Sequence, residues 1–227
     1  MALHPRGVNH LAISTRDMKA QLEFFCDVLG CPLKALYWMH GVEATFHGFV
    51  ELAPDSYVAF VQGPDNPKDV ELGVTHAGNP TGTTTAGTMQ HVAFHLDTLE
   101  EVLALRDRVR SRGVQVMGPI DHGMIQSMYF AGPENLVLEV CCGSGIDETA
   151  WVDPEVVRLC GISAAEVERL EHPAAFTEAA EPVTQPATDP TKPQLRYPPK
   201  AYERIMGMSD QETWDRFSET TPPVAAR

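Results

Sequence analysis

Apolar residues recur at Met18, Leu22, Phe25 and Leu29, the spacing of one helical face, and Gly30 stands where a C-terminal stop belongs. A second helix is predicted from Thr98-Leu-Glu-Glu101, a capping-box sequence. Leu99, Val102, Leu103 and Val109 form its apolar face, and Gly113 ends it. Each helix follows a short alternating segment, and the two segments repeat one another 81 residues apart: Val8-Asn-His10-Leu-Ala-Ile13 and Met89-Gln-His91-Val-Ala-Phe94. Each is followed by three strand-like runs. In the first copy these are Lys34–Trp38, Glu43–Leu52 and Ser56–Gln62; in the second, Val114–Met117, Gln126–Phe130 and Leu136–Cys141. The pattern predicts an α+β fold of two tandem βαβββ modules, about residues 6–70 and 88–142, joined by a Gly/Thr-rich linker.

Beyond residue 142 the texture changes. Asp153-Pro154-Glu155, Ser163-Ala-Ala-Glu166 and Ser209-Asp-Gln-Glu212 are helix starts, whereas seven prolines between Pro173 and Pro199 sustain neither helix nor central strand. Residues 143–227 are therefore expected to be an arm of short helices and Pro-rich extended chain. Its apolar set, including Tyr197, Tyr202, Ile205, Trp214 and Phe217, favours docking, for instance at a homodimer interface.

Strand alternation places candidate chemistry on one face. His10, Ala12 and Ser14 share a face opposite Leu11 and Ile13; His91, Ala93 and His95 lie opposite Val92 and Phe94. In the last strand Asn135, Val137 and Glu139 share a face, with Leu136, Leu138 and Val140 turned to the helices. A carboxylate placed among apolar residues needs a partner, and a divalent metal shared with two histidines supplies one. Two imidazoles and one carboxylate with open positions form the facial triad of non-haem Fe(II) oxygen chemistry.

Composition narrows the classes. The 227 residues carry a formal charge of −14 and have no Lys/Arg cluster, which sets nucleic acid and anionic membranes aside as partners. The charge divides evenly, seven net negatives up to residue 142 and seven beyond it, so it marks neither part as the site. No apolar run is long enough to span a bilayer and the first residues lack a signal-peptide core, so a cytoplasmic protein is expected. Five cysteines without a CxxC pair read as reduced thiols, those at 141 and 142 as small buried hydrophobes.

The duplicated module resembles the vicinal oxygen chelate superfamily, which includes glyoxalase I, bleomycin- and fosfomycin-resistance proteins and type I extradiol dioxygenases. The resemblance spans residues 6–142. It rests on Val8-Asn-His10-Leu-Ala, Phe24-Phe25-Cys-Asp-Val-Leu-Gly30, Met89-Gln-His91-Val-Ala-Phe, and Asp121-His-Gly123 followed by Ser127-Met-Tyr-Phe130-Ala-Gly-Pro-Glu-Asn-Leu-Val-Leu-Glu139. It implies a cupped, half-open barrel with His10, His91 and Glu139 at metal-ligand positions. It puts a fourth ligand position of the glyoxalases at Ala59, with Glu51 on the preceding strand the candidate to check. Three ligands favour the dioxygenase branch, whose metal needs free positions for a chelating diol and O₂. By the same resemblance Tyr129 corresponds to the tyrosine that hydrogen-bonds metal-bound oxygen, His122 to a pocket histidine, and His76 to the acid–base histidine. The expected function is Fe(II)-dependent extradiol cleavage of a small aromatic diol, with Mn, Ni or Zn as alternative metals. The alternatives are a non-oxidative, metal-dependent glyoxalase-like lyase or epimerase, and a metal-free resistance-type protein that binds a small molecule.

Overall fold

A computed structural model describes residues 3–143 and 145–225. The first module runs β1 (His10–Ser14), α1 (Met18–Glu23), β2 (Leu33–Trp38), β3 (Phe46–Ala53) and β4 (Ser56–Gln62). The second runs β5 (Val92–His95), α2 (Leu99–Ser111), β6 (Val116–Asp121), β7 (Gln126–Ala131) and β8 (Val137–Cys142). Each module makes one four-stranded sheet, ordered β1-β4-β3-β2 and β5-β8-β7-β6. In both, the first and last strands pair parallel and the remaining pairs are antiparallel. The two sheets stay separate ladders, so the predicted barrel is half-open.

The registers repeat as the sequence does. Ala12 stands opposite Ala59 in the first sheet, and its counterpart Ala93 stands opposite Glu139 in the second. Alternation then assigns the faces. Val50, Val58 and Phe60 are buried on the helix side of the first sheet, and Met128, Phe130, Leu138 and Val140 on that of the second. All join one cluster with Phe25, Val102 and Val109 from the helical segments. Phe25 spans the modules, its ring 5.1 Å from Phe60 and 6.1 Å from Phe94. On α2 the third core contact is Leu105, with Leu99, Val102 and Val109, rather than the expected Leu103. Helix α1 also departs from a regular continuation. It widens over Phe24–Leu29 into a π-helical segment that Gly30 ends in the left-handed conformation, its N–H donating to the Phe25 carbonyl.

The second module caps both ends of the first module's helical segment. Glu134, in a left-handed turn between β7 and β8, accepts from the Thr15 hydroxyl at 2.6 Å, the Arg16 N–H at 2.7 Å and Gln21 Nε2 at 2.9 Å. At the other end Arg108 donates to the carbonyls of Val28 at 2.8 Å and Asp27 at 3.1 Å. An acid at the N-terminus and a base at the C-terminus both complement the helix dipole. Gly30 permits the second contact, because a Cβ there would lie 3.0 Å from the guanidinium carbon.

After β8 come α3 (Glu148–Trp151), α4 (Pro154–Leu159), α5 (Ala164–Glu171), α6 (Pro199–Met206) and α7 (Asp210–Phe217). The predicted caps form: Asp153 caps α4, and capping boxes at Ser163 and Ser209 open α5 and α7. Residues 173–198, the proline-rich stretch, contain no helix or strand. Pro5–Pro173 forms one compact unit, and the described residues beyond it form a second together with Leu3 and His4. Within the first unit Trp151 of α3 lies over Gly123, where a Cβ would fall 2.9 Å from the indole. In the second unit Trp214 and Phe217 of α7 are exposed.

Candidate metal centre

The site is built from one row of the second sheet. Glu139 in β8 stands between Ala93 of β5 and Tyr129 of β7, and Tyr129 stands opposite Met117 of β6. Leu138 and Val140 anchor β8 in the core, so alternation turns Glu139 to the other face. It is only 2% exposed. His91, the residue before β5, brings Nε2 to 2.8 Å from Glu139 Oε2. The other oxygen, Oε1, is buried with no hydrogen-bond partner.

Tyr129 extends this pair. Its hydroxyl lies 3.1 Å from His122 Nε2, and its ring meets the rings of His91 and His122 edge-on at 6.0 and 6.2 Å. Burial, with the Glu139 charge adding to it, pushes the Tyr129 phenol above its ordinary value. His122 is held in a tight turn, where Asp121 Oδ1 accepts from the Gly123 N–H at 2.8 Å. Gly123, at φ +84, has the backbone this turn needs and leaves room for Trp151. A cavity of about 180 Å³ opens beside Tyr129, lined among others by Asn79, Pro80, Met117 and Val137.

The donor set fits a cation. His91 Nδ1 meets the Gln90 side-chain oxygen while Nε2 meets Glu139, so both ring nitrogens face acceptors. A neutral imidazole has one N–H and cannot donate to both. An imidazolium would donate to both, and a divalent ion held by Nε2 and the carboxylate would equally remove the conflict and neutralise the buried charge. His91 and Glu139 are thus the two groups that this geometry presents for a metal.

The other predicted residues are placed as follows. His10 opens β1 on the exposed face of the first sheet, with Nδ1 2.9 Å from Asn9 Oδ1 and its ring edge-on to Phe49 at 5.6 Å. Its ligand atom does not gather with those of His91 and Glu139. Among the described residues, the trio of such atoms lying within 4.8 Å of one another is Glu168, Glu171 and His172, all on the surface. His76 is half-buried in the 71–76 turn, where Nδ1 meets Thr75 Oγ1 at 2.9 Å. It makes no hydrogen bond or ring contact with His91, His122, Tyr129 or Glu139. Glu51 is paired with Lys34 at 2.9 Å, and Ala59 occupies the position equivalent to Glu139. His95 is exposed, 3.5 Å from Asp97.

His40 and His47, on or near the second strand-like run of the first module, are candidates in the sequence to line a pocket without an assigned role, and no motif marks Phe49. The structure puts Phe49 at the centre of the first sheet's open face, with ring centroids 4.5 Å from His47, 6.3 Å from Tyr37 and 6.2 Å from Tyr57. His40 lies beside Tyr37 at 5.4 Å. Burial, then the nearby His10, lowers the His47 pKa. Alternation along β3 could have found this wall, since His47, Phe49 and Glu51 share a face.

A model of the "Glyoxalase/Bleomycin resistance protein/Dioxygenase superfamily" matches residues 7–140, both modules almost in full. The chain belongs to this superfamily. The superfamily region is 25% identical over 131 residues to biphenyl-2,3-diol 1,2-dioxygenase 2 of Rhodococcus globerulus. That match covers 58% of this chain and only 60% of the relative's length. A glyoxylase/bleomycin resistance protein/dioxygenase domain from Frankia sp. EAN1pec shares the fold, with a TM-score of 0.50 at 14% identity over 62% of this chain and all of that one. A fosfomycin resistance protein of Listeria monocytogenes, solved with Mn(II) and sulfate, aligns with a TM-score of 0.42 at 17% identity over 62% and 95% of the two chains. No helix among the described residues is long and apolar enough to cross a membrane.

Proposed function

We propose that this superfamily member is an Fe(II)-dependent ring-cleaving dioxygenase of the extradiol type, acting on a catechol-like vicinal diol. The observation that carries the reading is the buried Glu139 carboxylate, with one oxygen on His91 Nε2 and the other without a partner. His91 and Glu139 would hold the metal, and by the resemblance His10, at the repeated position of the other module, would be the third ligand, although its ring nitrogens stand apart from theirs in this structure. When bound, Fe(II) supplies Lewis acidity toward the diol oxygens and a redox-active centre for O₂.

The protein's own groups do the rest. Tyr129 and His122, in hydrogen-bond contact beside Glu139, orient the diol and exchange a proton with it. The resemblance gives His76 the acid–base role; its contacts lie within its own turn, and Tyr129 and His122 would share that work. The aromatic wall around Phe49 suits a flat apolar ring. Alanine at position 59 and the Lys34–Glu51 ion pair support three protein ligands rather than four. That count leaves open positions for diol and O₂ and favours this reading over a non-oxidative lyase.

Anaerobic loading with Fe(II), followed by oxygen-electrode and absorbance assays over a panel of catechols, tests the reading. The expected result is O₂ uptake with a yellow ring-cleavage product for at least one diol. Bound iron with no O₂ uptake for any diol would overturn it.

A further inference from the structure

Each repeated histidine is preceded by a carboxamide residue, Asn9 before His10 and Gln90 before His91. Both amides make the same pair of contacts. Asn9 Oδ1 lies 2.9 Å from His10 Nδ1, and its amide nitrogen donates to the Asp55 carbonyl at 3.4 Å. Gln90 Oε1 meets His91 Nδ1, and Nε2 donates to the carbonyls of Asn79, Pro80 and Gly82 at 3.3, 2.9 and 3.1 Å. Three carbonyl acceptors settle which end of the Gln90 amide faces the ring, because only the NH₂ end can donate to them. An amide oxygen only accepts, so the ring nitrogen facing it carries the hydrogen. In each module, then, Nδ1–H is turned to a carboxamide and Nε2 is left to face away from it.

We propose that Asn9 and Gln90 are positioning residues that fix His10 and His91 as Nδ1–H tautomers and present Nε2 as the ligand atom; as far as the ligand is a metal, this rests on the function proposed above. Partners on the far nitrogen of a metal-binding histidine set its tautomer and ring orientation, and their loss costs about 10–100-fold in metal affinity. Gln90 has a second effect. Asn79 and Pro80 line the cavity beside Tyr129, so one side chain ties that wall to the His91 ring.

The test uses the full chain with Zn²⁺ as a diamagnetic probe. Affinity is read by chelator competition for wild type, Asn9→Ala, Asn9→Asp and Gln90→Ala, with thermal melts to check folding. Both alanine variants should lose about 10–100-fold in Zn²⁺ affinity, while Asn9→Asp, which keeps an acceptor, stays within about threefold of wild type. Wild-type affinity in the folded alanine variants, or an Asn9→Asp variant as weak as Asn9→Ala, would overturn the proposal. Should Gln90→Ala fail to fold, the Asn9 pair decides the question. Histidine ¹⁵N spectra of the metal-free protein separate the two readings: neutral His10 should carry its proton on Nδ1 and lose that preference in Asn9→Ala. No Zn²⁺ uptake together with that tautomer pattern would sink the functional reading and leave the positioning intact. Zn²⁺ uptake with His10 protonated on Nε2 would sink the positioning and leave the function standing.

Discussion

The two modules share a topology, a register and a histidine position, yet their open faces carry different side chains. The second face carries His91, Glu139, Tyr129 and His122, a connected set of proton-bearing groups. The first carries Tyr37, His47, Phe49 and Tyr57, a ring-lined wall around an alanine where its twin has a carboxylate. One scaffold occurs twice, and a single position, Ala59 against Glu139, separates a ring-lined face from a candidate metal-holding one. A buried carboxylate is costly unless something neutralises it. One copy carries that cost, and the other is relieved of it.

Forcing the modules to match should have the largest effect. Ala59→Glu puts a second carboxylate into a fully buried position, with the exposed His10 in the place that His91 holds beside Glu139, and should cost about 3–5 kcal/mol in urea unfolding of the metal-free protein. Next, Glu139→Ala should weaken divalent-metal binding by more than about 100-fold, beyond the range expected of outer-shell residues. Breaking the link between modules comes third. Glu134→Ala strips three hydrogen bonds from the start of α1 and should cost about 1–3 kcal/mol by chemical denaturation, with metal affinity unchanged. Smallest of all, Glu51→Gln should shift stability by less than about 1 kcal/mol and leave metal binding unaltered, since Glu51 is half-exposed and paired with Lys34. A large fall in metal affinity there would restore a fourth ligand and undo the contrast between the sheets.

Much of this architecture was legible in the residues themselves. The 81-residue repeat, the strand alternation and the capping boxes at Thr98, Ser163 and Ser209 are local signals, and each formed as expected. The pairing of His91 with Glu139 followed from alternation, because β5 and β8 pair in parallel with Ala93 opposite Glu139. What stayed hidden depends on contacts distant in sequence. The Glu134 and Arg108 caps join residues about 80 to 119 apart, and no window of sequence shows them. The aromatic wall needed the register of β2, β3 and β4 together. Nothing in the sequence marks Gln90 between Met89 and His91, and only the placement of the 79–82 loop gives its amide three acceptors. The position of His76 could not be read at all, since turn chemistry in a Gly/Thr-rich linker sets it rather than any periodic pattern.

The two caps on the first helical segment also bear on how the chain is made. Thr15 and Arg16 emerge from the ribosome well before Glu134, and Asp27 and Val28 well before Arg108. At about 5–20 residues per second, the helix start waits on the order of ten seconds for Glu134. During that interval the nascent first module has only its local caps, Asp17 and Gly30, and a core that lacks Phe94 and Phe130, two of the rings its own phenylalanines pack on. Folding of the amino-terminal half is therefore expected to be completed from the carboxy-terminal side, with the older copy of the repeat held until the younger one arrives.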